Sequence, residues 1–342
     1  MDVPVWVWIA TFAITVVIFT FDLVVVGRRP HEPSMKECAT YLSIYVGLAI
    51  IFGAGVWLTW DHQHGLEFFS GWLVEYSLSI DNLFIFIIIM AKFAVPKELQ
   101  QYALMIGIVM ALIMRAIFIA VGAAAIENFS WVFYLFGIFL VYTAVKLARE
   151  GGEDEDDEFE ENKLVAFVEK RFPATSEWHG RELFHSDAGK RMITPMFIVI
   201  ITLGTTDLLF ALDSIPAIFG ITKEPYLVLT ANIFALMGLR QLYFLIGGLL
   251  QRLIYLSYGL AFLLAFIGVK LFFHALHENE LPFINGGEHL DYPWLEIPIW
   301  LSLVVIVATL AVTAALSLFV SGRMTPEAQD AATGPRRDWE DD

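Results

Sequence analysis

Long apolar runs dominate the chain, and short polar stretches separate them. The runs at 3–26, 227–250 and 297–320 are almost free of charge. Each is about 20 residues or more, the length a helix needs to cross roughly 30 Å of hydrocarbon. The pattern predicts nine spans, at about 3–26, 40–60, 67–91, 98–122, 130–148, 194–219, 226–249, 252–273 and 297–320. Shorter apolar runs suit a soluble core, but so many long ones in one chain predict an all-α polytopic membrane protein. Trp57, Trp60, Trp131 and Trp300 fall near span ends, where aromatic side chains anchor at the membrane surface.

The polar connections orient these spans. Arg28, Arg29 and Lys36 follow the first, and Lys92 and Lys97 the third. Arg149, Lys163, Lys170, Arg171, Arg181, Lys190 and Arg191 lie between the fifth and sixth. Arg252 follows the seventh, and Arg323, Arg336 and Arg337 follow the ninth. The alternate connections, 61–66, 123–129, 220–225 and 274–296, contain only Lys223. The positive-inside rule therefore predicts an outer N-terminus and a cytoplasmic C-terminus. The N-terminus lacks a basic stretch and a small-residue cleavage site, so 3–26 reads as a retained span.

Composition changes this picture little. With 58% hydrophobic and 17% charged residues, the chain is poorer in charge than soluble domains, which have about a quarter. The net charge of −16 owes much to one acidic block at 153–161 and to the tail at 338–342. It does not mark a soluble acidic protein, and no basic surface suits a nucleic acid. A single cysteine, Cys38, excludes a disulfide framework and paired-cysteine metal sites.

The spans divide the chain further. Residues 1–66 hold two N-terminal spans, 149–193 an acidic cytoplasmic loop, 274–296 an outer connection, 297–320 the last span and 321–342 a disordered tail. Within the loop, Leu164, Phe167, Val168 and Phe172 have helical spacing and predict a short surface helix over 162–172. The acidic block reads as a solvated linker or as a collector of metal ions. In the outer connection, His274, His277 and His289 with Glu278, Glu280 and Glu288 are scattered surface residues or an external metal site.

Residues 67–148 and 194–273 look like two copies of one three-span unit. The first opens on Glu75, five residues, Asp81 and Asn82; the second on Asp207, five residues, Asp213 and Ser214. The next span of each carries one arginine, Arg115 and Arg240. The third runs from Tyr134 to Lys146 in one copy and from Tyr258 to Lys270 in the other. Three spans per unit imply that the second copy is inverted, the plan of secondary transporters, whose sites lie near mid-membrane.

Carboxylates in hydrocarbon are costly and persist where they are paired, hydrogen-bonded or used. Six residues of helix turn about 600°, so the two acids of each motif face different ways unless the helix unwinds between them. Ser77, Ser79, Gly204, Thr205 and Pro216 are where unwinding is tolerable, and Ser77 and Asp81 share a face. Glu75 shares a face with Asn82, and Asp207 with Ser214. Glu75, Asp81, Asn82, Asp207, Asp213 and Ser214 offer only oxygen, which suits Mg²⁺, Ca²⁺ or Mn²⁺ rather than zinc or copper. Arg115 and Arg240 read as structural counter-ions, or as groups that hold the acids when no metal is bound. Lys146 and Lys270, near span ends, read as snorkelling side chains.

The stretches 75–82 and 207–216 resemble the signatures of the TerC family of integral membrane proteins, with Alx-type members most similar. The resemblance covers roughly residues 1–320. It implies membership of the wider superfamily of lysine exporters and Golgi-type manganese transporters, and efflux of Mn²⁺ across the bacterial cytoplasmic membrane. It places the family's motif acids on Glu75, Asp81, Asp207 and Asp213, with Asn82 and Ser214 beside them. A carboxylate wall would repel tellurite, the oxyanion behind the family's name.

The function expected is therefore a secondary transporter of Mn²⁺ or another hard cation, coupled to protons by carboxylates that exchange the two. No resident cofactor and no enzymatic activity are expected. An intramembrane aspartyl protease needs a Gly-x-Gly-Asp motif, and Gly204-Thr205-Thr206 precedes Asp207 instead. The other class is a membrane scaffold of a metal or envelope stress response that recruits partners through the acidic loop.

Overall fold

The computed structural model describes residues 1, 3–28, 33–129, 131–150, 175, 177–187, 190–246, 253, 255–277, 279, 281, 284, 290 and 297–323. At 25–28, 81, 84, 150, 187, 190, 191 and 246 it describes the backbone alone. The acidic block, the helix expected at 162–172, the tail, Arg252, His289, Glu278, Glu280 and Glu288 lie outside these residues, as does the Asp81 side chain.

Among the described residues, nine helices are long and apolar enough to cross a membrane. They are α1 (Val5–Arg28), α2 (Met35–Thr59), α3 (His62–Lys92), α4 (Lys97–Asn128), α5 (Val132–Glu150), α6 (Pro195–Phe219), α7 (Pro225–Ile246), α8 (Leu256–His277) and α9 (Ile299–Ser321). Each coincides with a predicted span. Several helices outrun their apolar stretch because hydropathy marks the hydrocarbon, whereas capping marks where the helix begins. Thus α3 starts five residues ahead of its expected span, where the Asp61 carboxylate accepts from the His64 amide at 2.9 Å. Ser34 caps α2 in the same way.

One element departs from the all-helical expectation. Strands β1 (Phe184–Asp187) and β2 (Lys190–Ile193) form an antiparallel hairpin with Phe184 opposite Ile193. Four-residue strands are too short for an alternating pattern to stand out. The segment just before the hairpin packs on the bundle through Trp178 and Leu183, and Arg181 lies over the Tyr102 ring.

The core lies among α3, α4, α6 and α7, while α1 and α9 are peripheral. Trp6, Ile9, Val17 and Phe21 on α1, and Trp300, Val304, Val312 and Phe319 on α9, are exposed. Apolar rings of this extent belong against lipid, where helices satisfy their own backbone groups. The main packing pairs within the two units are α3 with α7, α4 with α6, α5 with α8, α3 with α6 and α4 with α7. Exchanging α3 with α6, α4 with α7 and α5 with α8 returns these same pairs. Where α5 crosses α8, Gly137 and Gly268 let the backbones touch. A Cβ on either glycine would come within 2.9 Å of the other's carbonyl oxygen.

The connections gather by alternation. At one end the Met1 amino group meets Glu224 at 2.6 Å, Thr222 Oγ1 donates to Glu67 at 2.7 Å, and Lys223 lies over the Phe133 ring. At the other end, Tyr243 donates to Gln100 at 3.2 Å.

Candidate intramembrane carboxylate site

Helices α3 and α6 run unbroken through both acidic motifs, so neither unwinds between its acids. Continuous helix sends the two acids of a motif to different neighbours, and α6 shows the result. Asp207 faces the core, whereas Asp213 is half-buried against α5. There it accepts from Thr143 at 3.1 Å and lies within electrostatic reach of Lys146.

Glu75 and Asp207 converge on Arg115. The guanidinium donates through Nε and Nη2 to Asp207 at 2.8 and 3.1 Å, and through Nη1 to both oxygens of Glu75 at 3.0 and 2.9 Å. Nη1 also reaches Ser214 Oγ at 3.3 Å and Asn232 Oδ1 at 3.0 Å. The side chains of Glu75, Arg115 and Asp207 are each 1% exposed. Four helices, α3, α4, α6 and α7, thus close a water-excluded polar centre.

Charge decides what this centre does. With all three groups ionised, two carboxylates and one guanidinium sum to −1. A net charge in a low-dielectric interior calls for a cation or a proton, beyond what a structural ion pair requires. The oxygens of Glu75, Asp207, Ser214 and Asn232 are all hard donors. Among the described residues, no group of three or more His, Cys, Asp or Glu is arranged to hold a metal ion; Glu75 and Asp207 are two acids with Arg115 between them.

The other candidates lie elsewhere. Asn82 is buried seven residues further along α3. Arg240 does not join the motif acids described here; its Nη2 donates to Asp22 of α1 at 2.9 Å. Neither lysine reads simply as a snorkelling end residue. Lys146 is within electrostatic reach of Asp213, and Lys270 of Glu67. His274 packs edge-on against Phe133, and His277 Nδ1 lies 3.3 Å from the Leu290 carbonyl. The sequence reading assigns no role to Asn232 or Asp22.

The chain matches the family described as Integral membrane protein TerC family over residues 60–325. That range contains both acidic motifs and seven of these nine helices, α3 to α9. The chain belongs to the TerC family. An uncharacterised membrane protein of Mycobacterium tuberculosis is 45% identical over 97% of this chain and 83% of its own length. A Myxococcus xanthus membrane protein is 38% identical over 77% of this chain and 82% of that one. A protein of Escherichia coli K12 provisionally named membrane-bound redox modulator Alx is 36% identical over 76% and 84%. No solved structure matches this TerC chain.

Proposed function

We propose that this TerC protein is a secondary transporter that exports divalent manganese, and other hard cations, from the bacterial cytoplasm. The observation that carries the reading is the meeting of Glu75 and Asp207 on one guanidinium, formally −1 when all three are ionised, among helices of membrane-spanning length. Each acid comes from the first helix of one matched unit. The packing pairs, unchanged when the units are exchanged, support inverted repeats and a site between them. The outer N-terminus and cytoplasmic C-terminus inferred from Lys and Arg belong to the same proposal.

In this reading Arg115 is the substitute cation. It offsets one of the two carboxylate charges when no metal is bound, and a hard cation that displaces it meets oxygens from Glu75, Asp207 and Ser214. Asn82 and Asp213 are further contacts along the path rather than members of one shell. Proton exchange follows from the charge count, since the cluster without cargo needs a proton or a cation to reach neutrality.

The Alx relatives are named for redox modulation, and a thiol-based form of such a role meets a chemical obstacle here. The chain has one cysteine, Cys38, which is buried, so no dithiol can form within it. Cellular manganese content under excess Mn²⁺ tests the proposal. Cells making the protein should hold less manganese than cells without it and than cells making the Asp207→Asn variant. A content equal to that of cells without the protein would refute export.

A further inference from the structure

Arg240 is held by an acid from outside both units. While its Nη2 donates to Asp22 Oδ1 at 2.9 Å, Tyr45 on α2 donates to Oδ2 at 3.2 Å. The Arg240 and Asp22 side chains are 8% and 14% exposed, so the pair is less sealed than the central cluster. Beside it lies a small cavity lined by Asp22, Tyr45, Met105 and Arg240, with room for about one water. Among the described residues, the other polar ties at α1 include Thr11 with Tyr226 at 2.8 Å and, just before the helix, the Met1 amino group with Glu224 at 2.6 Å. In lipid, apolar contact alone gives a peripheral helix little reason to stay, so the Asp22–Arg240 bond also decides where α1 sits.

The two arginine sites differ in charge. The central cluster sums to −1, whereas Asp22 with Arg240 sums to zero. A proton on Asp22 makes the second site +1 and leaves the guanidinium without its partner. The nearest described deficit of positive charge is then the central cluster, reached along α7 from Asn232, eight residues or about 12 Å of helix away. The cavity reaches Asp22, whereas the side chains of Glu75 and Asp207 are each 1% exposed.

We propose that Asp22 is the proton-coupling residue of this carrier, an inference that rests on the transport reading above. Water delivers the proton, an O–H bond forms on the Asp22 carboxylate, and the ion pair with Arg240 opens. Arg240 keeps its charge and turns toward the negative centre. A divalent cation that displaces Arg115 from Glu75 and Asp207 cancels that negative charge, returns Arg240 to Asp22 and expels the proton to water. The titratable groups around Asp22 are Arg240 on α7 and Tyr45, Tyr41 and Cys38 on α2, with Glu37 beyond them. Helix α4 contributes Met105 and Ile108, which carry no charge.

The test uses the full chain in sealed liposomes, with Mn²⁺ and proton movements followed together. The wild type should move protons against Mn²⁺. The double variant Asp22→Asn/Arg240→Gln, which leaves no orphan charge, should carry Mn²⁺ with loss of both proton counter-movement and pH dependence. Unchanged proton counter-movement in that variant overturns the proposal. A readout independent of cargo is the infrared band of a protonated carboxyl group as pH falls. The wild-type spectrum should contain one component of that band that Asp22→Asn lacks, with thermal unfolding followed to check that each variant folds. A band identical in both also overturns the assignment. If the wild type carries no divalent cation, the transport reading falls. A band lost with Asp22 then still supports proton binding at this residue.

Discussion

Arg115 binds four side chains from three other helices, and this concentration of bonds makes it the least replaceable residue of the site. Replacing it with Met leaves two buried carboxylates without a counter-charge. Breaking a buried pair in this way costs about 3–5 kcal/mol. Thermal unfolding in detergent should show Arg115→Met strongly destabilised, and a second change, Asp207→Asn, should recover part of the loss. Glu75, Arg115, Asp207 and Ser214 were legible in the sequence because charged or polar residues stand out in an apolar run. Asn232 was not, since one amide in a long span is unremarkable until Arg115 is seen to reach it. Asp22 was hidden by its place near the end of its run, where an acid reads as surface. Its partner is 218 positions away, which no spacing rule detects.

At the scale of elements, the crossing of α5 and α8 decides whether the bundle closes. A Cβ on Gly137 meets the Gly268 carbonyl at 2.9 Å and the Phe272 amide at 3.1 Å, both backbone atoms that cannot rotate away. Gly137→Ala should therefore push the helices apart and cost about 1–3 kcal/mol, as overpacking does. Gly47→Ala and Gly55→Ala, with nothing within 4 Å, should leave the unfolding temperature nearly unchanged. The spans themselves could be read from hydropathy, because in a bilayer burial and helicity are imposed together. The crossing could not, since glycine is frequent in membrane helices and only the partner's backbone distinguishes Gly137 from Gly47. The hairpin at 184–193 escaped for a different reason: its strands are shorter than the pattern that would reveal them.

For the whole molecule, alternation of the connections and exchange of the packing pairs are the organising facts. The proposed orientation has a direct check by labelling in a Cys38→Ser background. Glu127→Cys, on an exposed outer turn, should react with a membrane-impermeant thiol reagent in intact cells. Ser186→Cys, on the exposed hairpin, should react only after permeabilisation. The reverse pattern would invert the orientation. Matched landmarks suggested two related units; which helices pack together was not readable, because packing partners depend on shape rather than on order along the chain. The central claim is that Glu75 and Asp207 carry a cation and do not merely hold Arg115. Asp207→Asn separates the two roles, because it brings the cluster from −1 to neutrality and leaves Arg115 paired with Glu75. Mn²⁺ flux through the reconstituted chain is the measurement that decides. The account predicts a folded Asp207→Asn protein, unfolding at or near the wild-type temperature, that no longer moves Mn²⁺; a folded variant with wild-type flux would contradict it.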